Sequence, residues 1–383
     1  METAGLAGEE RRGREHFSYI TELRAVSCIA VVMLHTALAA AGSFEISDME
    51  RMWTMLLRNL MLWAVPCFIM VTGALLLDPG RSLGYGKLFS RYVKRVLLCI
   101  LLFTAVFEIF DLILNRQAPG WWVIPEYLMK VISGKSWSHM WYLYMLLGLY
   151  LLMPFCRMMA ADIQRKDMLY LIAVFFLFLS VLPMLREIFD SEIAFFICVS
   201  AVYPLYLFLG YFIHSGQLRI PGAVLWGVFF LSTAGLIAAT AAAYLLPSAL
   251  LKELLGSYSF PLTLLQSVCV FALFARREMS DSFSSGQLRT ASLPIGQEPA
   301  KLRDCGQKVE KRGNGLLELI DRDSFGIYLI HMMFLKGIFV GLKFNPYRCG
   351  GVLVLIPLAA GVLLASMAVV RILKCIWGVR SLM

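Results

Sequence analysis

Apolar runs of about twenty residues recur along this chain, separated by shorter polar connections. They fall near 19–40, 54–77, 96–114, 139–159, 168–185, 193–213, 222–245, 257–275, 324–342 and 350–373. A helix of about 20 residues crosses the roughly 30 Å hydrocarbon core of a bilayer. Barrel strands would run about ten residues with strict alternation, whereas these runs are apolar on most sides. The pattern predicts an all-α fold, a polytopic transmembrane helical bundle of about ten helices. A segment over 1–18 precedes the membrane domain at 19–375, and a tail at 376–383 follows it.

Polar positions inside the runs are ordered. In the first run Thr21, Arg24, Cys28 and His35 share one stripe at helical spacing. Eleven steps of about 100° return Arg24 and His35 to one face, about 16 Å apart along the axis. An ionised group in mid-membrane costs at least about 3 kcal/mol, so the stripe is expected to face a cavity within the protein. In the ninth run, SFGIYLIH puts Ser324, Tyr328 and His331 together. If that helix starts near 324, His331 sits about one third of the way across, between the depths of Arg24 and His35. The third helix opens on Lys87, Arg91, Lys94 and Arg95, of which Lys87, Arg91 and Arg95 lie four apart on one face. Ahead of the fourth, His139 stands among Trp137, Trp141, Tyr142 and Tyr144, and Glu108 and Asp111 pair near the outer end of the third.

Composition agrees with the pattern. Of 383 residues, 59% are hydrophobic and 16% charged, too few charges to keep a soluble surface wet. The net charge of +9 would suggest nucleic acid in a soluble protein. Here it is explained by Lys and Arg at the cytoplasmic flanks of helices, and no nucleic-acid partner is expected. Placing Arg11, Arg12 and Arg14 inside puts Arg81, the third-helix basic residues, Arg157, Arg165, Arg276, Arg277, Lys374 and Arg380 on the same side. The expected location is the cell (inner) membrane, multi-pass, with both termini cytoplasmic and membrane lipid as the surroundings. The first run is too long for a cleavable signal. Residues 276–322, rich in Ser, Gly, Arg and Lys, read as a flexible cytoplasmic loop. The nine cysteines show no metal-ligand spacing, and no metal is expected.

These groups suggest a path across the membrane. Guanidinium groups on one face suit the phosphates of a nucleotide-bearing donor such as coenzyme A, and stacked aromatics beside a polar group suit a sugar ring. An imidazole between them can act as general base or transient acyl carrier. A secondary transporter or a lipid or glycan flippase would also place ionisable groups in mid-membrane. No inverted repeat or matched pair of broken helices is visible to favour it.

The stretch ELRAVSCIAVVMLH resembles the Arg, ten residues, His signature of the integral membrane acyltransferase-3 group of bacterial O-acyltransferases. VPCFIMVTGALLL, FSRYVKRVLL, HMWYLYMLLGLYLLMPF and SFGIYLIHMMF fit the same group in order. The resemblance implies transfer of an acyl group, most often acetyl from acetyl-CoA, to a hydroxyl of a surface polysaccharide, peptidoglycan or a lipid-linked precursor. It implies His35, Arg24 and His331 as catalytic residues, with His35 the base, and Lys87, Arg91, Lys94 and Arg95 around the donor. Glu108, His139, Trp141 and Tyr142 would meet the acceptor. Acyl-CoA would be a substrate, with no permanently bound cofactor.

Overall fold

The computed structural model describes residues 18–81, 83–118, 120–161, 163–189, 201–246, 249–284, 315–376 and 380. Among them every regular element is helical, and eight helices are long and apolar enough to cross a membrane. The protein is a multi-pass α-helical membrane protein. In chain order the helices are α1 (Ser18–Ser43), α2 (Asp48–Leu60) continuing through a short break into α3 (Ala64–Leu76), α4 (Tyr85–Leu114), α5 (Val123–Ser133) and α6 (Ser138–Ala161). They are followed by α7 (Arg165–Leu185), α8 (Tyr203–His214), α9 (Gly222–Leu245), the short α10 (Ala249–Leu254), α11 (Pro261–Ser284), α12 (Gly315–Gly341) and α13 (Pro346–Leu373). Two of the ten predicted spans do not count among the eight. One is α8, described for Tyr203–His214; the other is α11, whose apolar run ends at Arg276 and Arg277.

The segment predicted as a loop at 276–322 is helical at both ends, because α11 runs to Ser284 and α12 starts at Gly315. Its middle, like the segment before Ser18, lies outside the described residues. The early start of α12 has a physical cause. Asp323, fully buried, receives Arg371 Nε at 3.1 Å and Lys374 Nζ at 2.7 Å, and Asp321 pairs with Arg24, so these carboxylates are compensated inside the helix bundle.

Helix α1 is central, packed by α2, α3, α11, α12 and α13. Two apolar cores flank it, one built mainly on α3, α8 and α11, the other on α4, α12 and α13. Small residues permit the closest approach. A β-carbon on Gly73 would collide with the Leu207 carbonyl of α8, and one on Gly210 with the Met70 carbonyl of α3. Hydrocarbon gives no hydrophobic drive between helices, so such backbone contact supplies the packing attraction instead. Local signals fit the ends: Ser47 and Glu50 form a reciprocal cap on α2, and Gly134 at φ 67° closes α5. Arg157 donates to the carbonyls of Leu76 and Arg81, satisfying acceptors left open where α3 ends.

Candidate active site

A cavity of about 480 Å³ opens between α1, α3, α4, α6 and α12. At one end it is lined by Arg24, Arg81, Arg91, Arg95 and Arg322, and among the described residues no carboxylate side chain lines it. Toward the other end lie His35, His139, Trp141, Tyr142 and Tyr258. The two ends are called basic and aromatic below.

Helices α1 and α12 run parallel and in register along this cavity. Arg24 Nε meets Asp321 Oδ1 at 3.1 Å, and His35 Nδ1 lies 2.8 Å from His331 Nε2. Eleven residues separate the pair on α1 and ten the pair on α12, so both contacts sit on one seam. This corrects the expected depth of His331. The helix starts nine residues before 324, at Gly315, which lifts His331 to the level of His35. The rings stack with centroids 5.0 Å apart and planes at 24°.

The hydrogen bonds assign the tautomers. His331 Nδ1 is 3.0 Å from the Ile327 carbonyl oxygen, which only accepts, so Nδ1 carries the proton. In the neutral pair, His331 Nε2 then accepts from His35 Nδ1–H, which leaves His35 Nε2 with a free lone pair. That nitrogen makes no hydrogen bond to a described residue, and His35 is half-buried on the cavity wall, whereas His331 is fully buried behind it. The geometry places a proton acceptor in the cavity and holds it in one tautomer.

His139 completes a group of three imidazoles. Its ring is edge-on to His35 at 6.2 Å and to His331 at 5.5 Å. It is only 1% exposed, and among the described residues neither ring nitrogen makes a hydrogen bond of good geometry, the Leu329 backbone being the polar group beside it. Among the described residues no set of His, Cys, Asp or Glu side chains is arranged to hold a metal ion. The Tyr328 hydroxyl donates to the His139 carbonyl at 2.6 Å, tying the start of α6 to α12.

Of the basic comb, Arg91 and Arg95 line the cavity, while Lys87 and Lys94 are exposed away from it. Leu88–Val93 is a π-helical turn, whose i→i+5 bonds fit about one more residue per turn than an α turn. Residues four apart therefore do not stack through it, and Lys87 leaves the face of Arg91. Arg95 also lies over the Phe325 ring, 4.5 Å from its centroid.

Glu108 does not reach the cavity either. It receives Lys130 Nζ from α5 at 2.8 Å, with Glu126 on the same ammonium. Partial burial works against the Lys130 charge, but the hydrogen bonds to Glu108 and Glu126 outweigh it and raise its pKa above the usual lysine value. Asp111 is engaged by Lys336 Nζ at 2.5 Å and by Trp137 Nε1 at 2.9 Å. These carboxylates anchor α5 and α12 to the outside of α4.

Two cavity residues, Arg322 and Tyr258, were not singled out from the sequence, nor was Asp321, which stands behind Arg24. The spacing of Asp321 and His331, nearly that of Arg24 and His35, was the available signal. It lay across the boundary assigned to a loop.

A family model described as an acyltransferase domain matches residues 17–371. No curated protein and no solved structure matches the chain.

Proposed function

The chain belongs to the acyltransferase-domain family, which covers nearly its whole length, and on that premise we propose that it carries an acyl group, foremost acetyl, from acyl-CoA to a hydroxyl of a surface or lipid-linked glycan. The observation that carries this reading is the free lone pair of His35 Nε2, set between five cavity arginines on one side and an aromatic wall on the other. Five guanidinium groups without a lining carboxylate suit a polyphosphate, which they would hold by paired N–H bonds. The basic end is then the cytoplasmic mouth, following the positive-inside rule, and the aromatic end opens to the exterior.

The reaction follows from these positions. The acceptor O–H gives its proton to His35 Nε2 as its oxygen attacks the thioester carbonyl carbon. The carbon–oxygen bond forms, the carbon–sulfur bond breaks, and the departing thiolate takes the proton back from the imidazolium. An ester and free CoA thiol result. His331 accepts from His35 Nδ1–H throughout, which fixes the reactive tautomer and spreads the developing positive charge. About 16 Å separates Arg24 from His35 along α1, a span suited to the flexible arm that carries the thioester away from its nucleotide. Arg24, held by Asp321, would fasten the donor near this arm.

The test is thiol release by purified protein given acetyl-CoA and a glycan extract, with succinyl-CoA as a second donor. Release that depends on the extract supports the reading. Uptake or movement of glycan with acyl-CoA left intact would favour a transporter and sink it.

A further inference from the structure

One more arginine lies at membrane depth. Arg58 is ten residues into α2, about 15 Å below that helix's outer end, and His35 is eight residues below the end of α1, about 12 Å, so the two lie at similar levels. A half-buried arginine in such a position marks function by default, and here its partners are unusual. Its guanidinium donates to the carbonyls of Leu255 at 3.2 Å and Gly256 at 3.3 Å. Two further side chains bind the same stretch of backbone: Tyr206 donates to the Tyr258 carbonyl at 2.8 Å and Ser180 to the Ser259 carbonyl at 2.5 Å.

Four carbonyls between 255 and 259 are thus satisfied by α2, α7 and α8 rather than by a helix of their own. The path of the chain explains why. Arg276 packs on Gly222, so α11 begins at Pro261, about 22 Å above that level, whereas α9 climbs about 35 Å from it. The chain after α9 therefore turns back inward before α11 starts. Irregular backbone is tolerated at membrane depth only where protein buries it or a wet cavity meets it.

This stretch delivers Tyr258 to the cavity. Its ring packs on Trp141 at 5.5 Å and Tyr203 at 6.5 Å, and Trp141 meets Tyr203 at 5.8 Å. His139 lines the same cavity as Trp141 and Tyr258, buried, and among the described residues neither of its ring nitrogens has a hydrogen bond of good geometry. Flat apolar faces next to unsatisfied nitrogens fit a ring that carries hydroxyls.

We propose that residues 255–260 form a re-entrant loop carrying the acceptor subsite, where Trp141 and Tyr258, backed by Tyr203, take the face of a sugar ring and His139 takes one of its hydroxyls. Arg58 is the positioning residue that holds the loop. The assignment of the ring as acceptor rests on the acyl-transfer reading above.

The test uses full-length protein in nanodiscs, radiolabelled acetyl-CoA and a glycan extract from cells that make the protein. Tyr258→Ala is expected to raise the KM for the extract at least about tenfold, with the KM for acetyl-CoA unchanged. Arg58→Gln is expected to lower kcat/KM for the extract by about tenfold, and Arg58→Lys to restore part of it by keeping one donor. An unchanged extract KM in Tyr258→Ala, or equal losses toward both substrates, would overturn the subsite. A second readout is independent of transfer. With the exposed Cys349 replaced by Ser, Ser257→Cys in sealed cells is expected to react with a membrane-impermeant maleimide added outside, and labelling from the cytoplasmic side alone or from neither side would overturn the loop. If wild-type protein neither binds nor cleaves acyl-CoA while Ser257→Cys is labelled from outside, the acyl-transfer reading fails and the loop stands.

Discussion

Replacing His331 with Leu removes the acceptor of His35 Nδ1–H and leaves His35 itself in place. The bond is 2.8 Å long and His331 is fully buried, so water cannot substitute for it. An unpaired donor in such a place costs about 1–3 kcal/mol. Because the partner fixes which nitrogen bears the proton, the loss falls on the reactive state, and about 1–3 kcal/mol corresponds to a turnover slowed by about 5 to 150 times. Removing the base itself, in His35→Ala, is expected to cost more, about 10² to 10⁴. His331→Gln puts an amide oxygen close to the place of Nε2 and is expected to retain much of the wild-type rate. The assay is thiol release from acetyl-CoA in nanodiscs, with thermal unfolding to verify folding. Full activity in His331→Leu would refute the reasoning, as would a loss in His331→Gln equal to that in His35→Ala.

Three more outcomes follow from the packing and the charges. Gly73→Ala and Gly210→Ala each drive a methyl into a backbone carbonyl and are expected to destabilise by about 1–3 kcal/mol or more, seen as a lowered Tm. Gly148→Ala and Gly227→Ala, which meet open space, are the controls. Arg95→Ala is expected to raise the KM for acetyl-CoA by about tenfold or more, as loss of a charge-assisted bond of about 1.5–3 kcal/mol implies, while Lys94→Ala should leave it within about twofold. Asp323→Ala strips the partner from Arg371 and Lys374 and is expected to cost about 3 kcal/mol, measured by thermal unfolding.

The helical bundle and the Arg24 to His35 seam were legible from the chain because both depend on local geometry: run length sets the span, and a separation of eleven sets the face. The depth of His331 was not. The loop drawn to 322 takes in Asp321, and the partners that hold Asp321 and Asp323 in a helix, on α1 and α13, are tertiary contacts. The basic comb was half legible, since the π turn at Leu88–Val93 changes a register that residue spacing alone takes as regular. Glu108 is expected at the acceptor from its place near the outer end of the third helix, but its ion pair with Lys130 of α5 could not be read from spacing. The re-entrant stretch at 255–260 left the faintest trace. The run at 257–275 reads as a span from its first residue, and only the donors on three other helices reveal irregular backbone at its start.

The most direct test compares ester formed with thiol released, in one reaction, for wild-type protein and His35→Ala reconstituted with labelled acetyl-CoA and glycan extract. Wild type is expected to form one ester per thiol released, and His35→Ala, folded and still binding acyl-CoA, to form neither above background. Thiol and ester produced by His35→Ala at the wild-type rate would contradict the role of the His35 lone pair as the base.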